Sequence, residues 1–372
     1  MAHCNTVLNQ VVRFFKRHEF ESLARQYHVG QNFRSFSRWT QFMAMLVGQL
    51  SGRKSLRDLV DNVTVQGHKL YHLGMKQVSR TTLSRVNEEQ PHQLYKALFH
   101  KLLGRCQAMA PQNRFKLDAK IYLLDATIIN LSLKVFPWAT YQKTKGAIKL
   151  HMGLSADGYL PEFFDVTTGK EHEINWAKLL KLPAGSFVVF DRGYTDYGWY
   201  QALMASGVFF VARLKDNALV EYFQKRPGRK AKGVILDQEI ALKGIKGKLR
   251  LIQFNAEDGN EYRFVTNAHH LQAATVTELY KERWQIELFF KWIKQNLRVK
   301  TFLGTSENAV LTQLWIALCV YLMLAWLKFM SKIGLSMQQM LRLLQLNLFE
   351  RRGLDALFKP PQIAPNPQLA LL

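Results

Sequence analysis

At 372 residues the chain is long enough for a catalytic core with smaller flanking parts, and its 48% hydrophobic and 21% charged residues exclude disorder as its main theme. Fifty-one Lys and Arg against 28 Asp and Glu give a net charge of +23, for which a polyanion is the simplest partner, nucleic acid ahead of a membrane surface. Cys4, Cys106 and Cys319 lie too far apart for a disulfide framework or a paired-cysteine metal motif.

The N-terminus lacks the basic start and apolar run of a signal peptide, so a cytoplasmic protein is expected. Apolar residues recur at helical spacing over 6–27, 39–50, 55–63 and 92–109, which makes residues 1–115 a helical region. It carries 17 Lys and Arg against 6 Asp and Glu and is expected to bind DNA. Within it, Ser79 is a helix cap followed by small polar and basic residues, Arg80 and Arg85 among them. Such a face fits a major groove, and fits a solvated surface equally well.

From residue 116 the pattern turns to strands. Residues 120–129 are β-rich, and 147–155 and 159–167 flank the turn pair Asp157-Gly158. A helix over 174–182, a buried strand at 187–190, a helix over 196–206 and a strand at 208–214 follow. Three antiparallel strands and then alternating helix and strand predict an α/β, ribonuclease H-like catalytic domain over 116–305. The alternation breaks at 215–267, where a basic loop containing Arg229 and Lys230 precedes strands at 234–242, 248–254 and 261–267; this reads as a β insertion. The loop is a candidate for phosphate contacts, or is merely solvated.

A single helix is expected over 275–297, then a helical C-terminal region, 306–372, with a possible part in dimerisation. The apolar run 314–327 falls short of the ~18 residues of a spanning helix and reads as buried.

Two strand residues are candidates for chemistry. Asp125 interrupts an apolar strand, where a carboxylate must be paired, protonated or metal-bound. Asp191 ends Phe187-Val188-Val189-Phe190, at the carboxyl end of a central strand, where α/β sheets place ligand groups, although a strand-end Asp more often forms a turn or caps a helix. On the predicted helix Tyr280, Arg283, Glu287 and Lys294 share an arc of about 60°, beside an apolar stripe of Leu279, Ile286, Phe289, Phe290, Ile293 and Leu297. Lys291 and Arg298 lie beside that polar row. Asp157 is expected in a turn, Asp196 as a cap, Asp165 on an exposed strand and His151 as a satisfied strand histidine. His269-His270 has no expected role.

The spacing of Tyr280, Arg283, Glu287 and Lys294 resembles the tyrosine, arginine, glutamate, lysine motif of the insertion sequence four family of DDE transposases. Asp125 in its strand and Phe190-Asp191-Arg192-Gly193-Tyr194 match that family's other two blocks in order, over residues 119–304. Thr168-Gly169-Lys170-Glu171-His172-Glu173 resembles a further block, with Glu where Asp is common. The start near Asn5-Thr6-Val7-Leu8 resembles the helical leader of many members.

The resemblance implies cut-and-paste transposition. Asp125, Asp191 and Glu287 are then the catalytic, metal-binding carboxylates, and oxygen ligation suits two Mg²⁺ or Mn²⁺ ions, with Asp125 bridging and one other carboxylate on each. It further implies that Tyr280 and Arg283 hold a phosphate near the transposon end and Lys294 the backbone near the cut. The expected partners are double-stranded DNA, as terminal inverted repeats and target, and a second copy in a synaptic homodimer, with no membrane. One departure concerns hairpin chemistry, which in this family uses a Trp of the β insertion to hold a flipped base. No Trp lies in 215–267, although Tyr222, Phe223, Phe254, Tyr262 and Phe264 do. A ribonuclease H-like nuclease or resolvase without strand transfer, and a non-enzymatic DNA-binding regulator, are the alternatives.

Overall fold

The structure is a computed structural model that describes residues 5–30, 36–115, 117–226, 232–257, 259–331 and 334–359. Arg229 and Lys230, the loop candidates for phosphate contacts, lie outside the described residues. The chain divides into two compact units, residues 1–109 with 293–372 and residues 110–292. The division thus differs from the expected boundaries at 115/116 and 305/306, because sequence periodicity does not reveal that helices from the two ends of the chain share one core.

The first unit begins with α1 (Val7–Val12), α2 (Arg17–Gln26), α3 (Arg38–Leu50), α4 (Leu56–Val65), α5 (Gly67–Leu70), α6 (Arg80–Glu89) and α7 (Gln93–Gln107). Ser37, Ser55 and Ser79 cap α3, α4 and α6, each accepting from the amide three residues on. The helical pattern over 6–27 is two helices. Phe14 and Phe15 donate back only three residues, to Val11 and Val12, which tightens the chain and turns both rings into the core.

The second unit holds a ten-stranded sheet. Its strands are β1 (Ile121–Leu131), β2 (Thr140–Gln142), β3 (Lys145–Ser155), β4 (Pro161–Thr168), β5 (Phe187–Phe190), β6 (Phe209–Arg213), β7 (Val220–Lys225), β8 (Val234–Leu242), β9 (Leu249–Asn255) and β10 (Glu261–Thr266). The order is β2-β3-β1-β5-β6-β10-β9-β8-β7, with β4 also paired to β3. Across β4-β3-β1-β5-β6 only β3 runs against its neighbours. The strands read as an insertion do not form a separate piece. β10 pairs antiparallel with β6, and β9, β8 and β7 extend the same sheet. Two strands, β2 and β7, have no expected counterpart; β2 has only three residues, and β7 is exposed along nearly its whole length, without the apolar alternation that marks a half-buried strand.

Helices α8 (Glu173–Ala177) and α9 (Tyr197–Ala205) cover one face. Trp176, Trp199 and Tyr200 pack there with Leu124, Val188, Phe190 and Phe210. The helix expected over 174–182 ends at Ala177, where Leu179 and Leu180 shift to three-residue bonds ahead of Pro183. On the other face lie α10 (Ala273–Glu282) and the start of α11 (Trp284–Asn296). The single helix expected over 275–297 is therefore broken at Arg283, where the Arg283 amide reaches Tyr280 and the Ile286 amide reaches Arg283, both three residues back. Leu279, Ile286, Phe289, Phe290, Ile293 and Leu297 are all buried, as the apolar stripe requires.

The first unit closes with α12 (Glu307–Ser331), α13 (Met337–Asn347) and α14 (Leu354–Phe358). The apolar run 314–327 lies within a helix of 25 residues, long and apolar enough to cross a membrane, yet 89% of that stretch is buried. It packs against α3, α6, α7 and α13. The helix outruns the apolar segment because buried Gln313 is satisfied: its amide donates to the Arg298 and Thr301 carbonyls and accepts from Leu303.

Candidate active site at the ends of three parallel strands

Parallel register sets the frame. Ile121 pairs with Phe187 and Phe187 with Phe209, an alignment held through Leu123, Val189 and Val211. Carried to the strand ends, the same offset sets Asp125, Asp191 and Arg213 on one line across β1, β5 and β6. Leu124, Phe190 and Ala212 belong to the core on the α8–α9 face. The pleat therefore turns Asp125 and Arg213 toward the opposite face, the one covered by α10.

Asp125 is the most constrained group. Its Oδ1 accepts from the Ala126 amide at 2.8 Å, and Oδ2 stands 3.7 Å from Arg283. Burial pushes its carboxyl up to about 7; the Ala126 amide and Arg283 oppose that, and the charges of Asp191 and Glu287 add to it. The three carboxylates thus share one electrostatic field. Arg283 stands among them, its side chain 15% exposed, with Nη2 2.5 Å from Glu287 Oε1. Its Nε is buried without a hydrogen-bond partner. Among the described residues no three His, Cys, Asp or Glu side chains are drawn close enough to form a ready metal cage. The Arg283 guanidinium serves Asp125 and Glu287 as their cation.

Asp191 directly follows β5, capping a short 3-10 turn over Arg192–Tyr194, and accepts from the Gly193 amide at 2.8 Å. Gly193 has a steric reason to be glycine: a β carbon there would meet Asp191 Oδ1 at 3.0 Å and Glu173 Oε2 at 3.2 Å. Glu173 comes from α8 and its other oxygen lies 3.5 Å from Lys149, whose side chain is nearly buried. The Tyr194 hydroxyl, fully buried, has no hydrogen-bond partner.

Around Tyr280 a cationic and aromatic ladder extends the site. Its ring lies 4.5 Å from that of Phe264, Phe264 stacks on Tyr262, and the Arg213 guanidinium sits 5.0 Å over Tyr262. Burial raises the Tyr280 hydroxyl pKa, and Arg283 and Arg213 work against it.

The remaining candidates fall out as follows. Lys291 is exposed and Lys294 half-buried on α11, four and seven residues beyond Glu287. Arg298 is committed within its own unit, its guanidinium donating to the Gly52 carbonyl and its amide to Gln49. Arg80 and Arg85 are exposed on α6 and line a cleft with Leu56, Thr81, Ser84 and Glu88; Arg85 also pairs with Glu89. His151 is buried, bonded through Nε2 to Thr167 and stacked on Trp176; it pairs with Ala126 in register, so it faces away from Asp125. Asp157 accepts two bonds from Asn113 in its turn, and Asp196 caps α9. Sequence reasoning gave no role to Arg213 or Lys149, and placed Glu173 and Tyr194 in family-like blocks without a role of their own. For Arg213 a signal existed, since it ends an apolar strand as Asp191 does.

Residues 116–323 match the family model described as a transposase DDE domain, and residues 3–76 match a domain of unknown function. A protein of Sinorhizobium fredii named as a transposase is 30% identical over 293 residues, 76% of this chain and 81% of its own length. A Geobacillus stearothermophilus protein named as a transposase for an insertion sequence element is 28% identical over 331 residues, 87% of this chain and 85% of its own. A piggyBac transposase synaptic complex with hairpin DNA matches at a TM-score of 0.49 and 10% identity, over 100% of this chain and 85% of that one, a likeness too slight to assign fold or partners. With more than half of the chain matched by that model and these relatives aligned along most of their length, the chain belongs to the DDE-domain transposases of insertion sequence elements.

Proposed function

We propose that the chain cuts DNA at the ends of its element and joins those ends to target DNA, with Asp125, Asp191 and Glu287 as the catalytic carboxylates. The observation that carries this reading is the β1–β5 register, which carried two residues on brings Asp125 level with Asp191 just past the end of β5, while Arg283 ties Asp125 to Glu287. The strand order β4-β3-β1-β5-β6 with β3 alone reversed supports a ribonuclease H-like core.

The donor set suits a hard divalent cation, Mg²⁺ or Mn²⁺, since it consists of carboxylate oxygens. A carboxyl as buried as Asp125 ionises at neutral pH only with positive charge beside it, and the orphaned Tyr194 hydroxyl marks a polar position with no protein partner. Asp125, Asp191 and Glu287 would hold two such ions. When bound, they supply activation of the attacking hydroxyl and neutralisation of the phosphate charge. Arg283, released from Glu287 and Asp125 once their charge is met by other cations, grips a phosphate with its two-pronged guanidinium. Tyr280 fixes that arginine from below, its ring centroid 5.7 Å from the guanidinium carbon. Lys294 and exposed Lys291 hold the DNA backbone along α11. Arg80 and Arg85 on α6 hold the phosphates of the element's ends, and two copies bring two ends together.

The experiment is in vitro transposition with DNA carrying the inverted repeats that flank the gene. Joined products with a short target duplication support the reading. Cleavage with no joined product at any divalent concentration overturns it in favour of a nuclease.

A further inference from the structure

The end of β5 is approached by carboxylates from both faces of the sheet, and only one of them belongs to the proposed triad. Glu287 comes from α11 on one side; Glu173 comes from α8 on the other. Asp191 stands between these approaches. One point in space, the missing β carbon of Gly193, is 3.0 Å from Asp191 Oδ1 and 3.2 Å from Glu173 Oε2. Both carboxylate oxygens therefore crowd the one position that Gly193 leaves without a side chain.

Three further features fit a built position. Glu173 Oε1 is steered by Lys149, 3.5 Å away, and the Lys149 ammonium is itself fixed by donating to the Glu171 carbonyl at 2.7 Å. The lysine thus takes one oxygen of Glu173 and leaves Oε2 toward Asp191. Three residues on from Asp191 the Tyr194 hydroxyl is fully buried with no hydrogen-bond partner. Its acidity is suppressed by burial, then by the charges of Glu173, Asp125 and Asp191, so the hydroxyl lies within the field of all three. A buried donor among carboxylates with nothing to bond is a place for a ligand.

We propose that Glu173 is a fourth carboxylate of the centre, binding the divalent cation held at Asp191, with Lys149 as the positioning residue that orients it. This rests on the reading of Asp125, Asp191 and Glu287 as a metal centre. A shared cation relieves the repulsion that Glu173 and Asp191 impose on each other where both approach Gly193.

The test is Mn²⁺ binding to the full-length chain without DNA, followed by calorimetric titration. Glu173→Gln is expected to weaken Mn²⁺ binding about tenfold, the lower end of the effect of losing a supporting ligand. Glu171→Gln, whose carboxylate instead holds Asn175 at 2.6 Å, should bind as wild type does. Gly193→Ala provides a second variant on an exposed turn, its methyl pressing on Asp191 Oδ1 and Glu173 Oε2, and should weaken binding likewise. Asp191→Asn separates the two claims. If it weakens Mn²⁺ binding while Glu173→Gln and Gly193→Ala leave it unchanged, Glu173 is a structural partner of Lys149 and the proposal is overturned. If Asp191→Asn also binds as wild type, the metal-centre reading fails first and carries this inference with it.

Discussion

Arg283 Nη1 stands 3.7 Å from Asp125 Oδ2, on the turn where α10 ends and α11 begins. That pairing puts a cation where the proposed function requires cations, and it lets the buried acid sit in the sheet before any metal arrives.

Arg283→Gln should therefore destabilise the metal-free chain by about 2 kcal/mol, since two partly buried carboxylates lose their common partner. Added Mn²⁺ should recover much of that loss, because the variant's carboxylates still bind it. Urea unfolding with and without Mn²⁺ measures both; equal stability of variant and wild type would show that the arginine is not their counter-charge.

The pH dependence of metal-free stability follows from Asp125. Its carboxyl is raised from an ordinary 3.8 to about 7 by burial, so the folded chain holds a proton that the unfolded chain releases. Its contribution is fully present below about pH 4 and is lost as pH climbs toward 7. Asp125→Asn should flatten that segment of the profile and stabilise the metal-free chain at pH 8, by no more than about 4 kcal/mol. A variant profile parallel to wild type between pH 4 and 7 would contradict the assignment.

Arg283 is held by what precedes it. Glu282 is 4% exposed, accepts from the Tyr159 hydroxyl and pairs with Arg114 at 2.9 Å. Tyr159→Phe should cost about 1 to 2 kcal/mol, the price of a charge-assisted bond, and should slow cleavage more than it weakens DNA binding. Binding by fluorescence anisotropy beside single-turnover cleavage separates the effects; equal losses in both would assign the clamp to binding.

Exposed Arg80 and Arg85 should act through phosphates. Replacing both by Ala should lower the slope of log affinity against log salt by about 2, from two lost contacts, and leave cleavage of saturated complexes intact. An unchanged salt slope would return α6 to the role of a solvated face.

Much of this was legible in the residues. Asp125 announces itself by polarity inside an apolar strand, and the Tyr280, Arg283, Glu287 row emerges from helical spacing. What periodicity misses is long-range. Nothing in residues 306–331 says that they complete the core begun by α3 and α7, so the unit boundaries fall elsewhere. Nothing local separates an inserted β piece from β10 extending the main sheet at β6. The break at Arg283 is also invisible, because no Pro or Gly marks it and both halves obey the same apolar stripe. Lys149 escapes for a related reason: it is far from Glu173 in sequence and ordinary singly, and although Glu173 stands in a family-like block, its meaning lies in its approach to Gly193 and Asp191.

The central claim is that Asp125, Asp191 and Glu287 form one metal-dependent centre. Its most direct test is single-turnover cleavage of end-bearing DNA by wild type, Asp125→Asn, Asp191→Asn and Glu287→Gln in Mg²⁺, with binding measured on the same substrate. The account predicts at least a thousandfold loss of cleavage in each variant, about 4 kcal/mol of transition-state stabilisation, with DNA binding retained. Near-wild-type cleavage by any one of the three would contradict it.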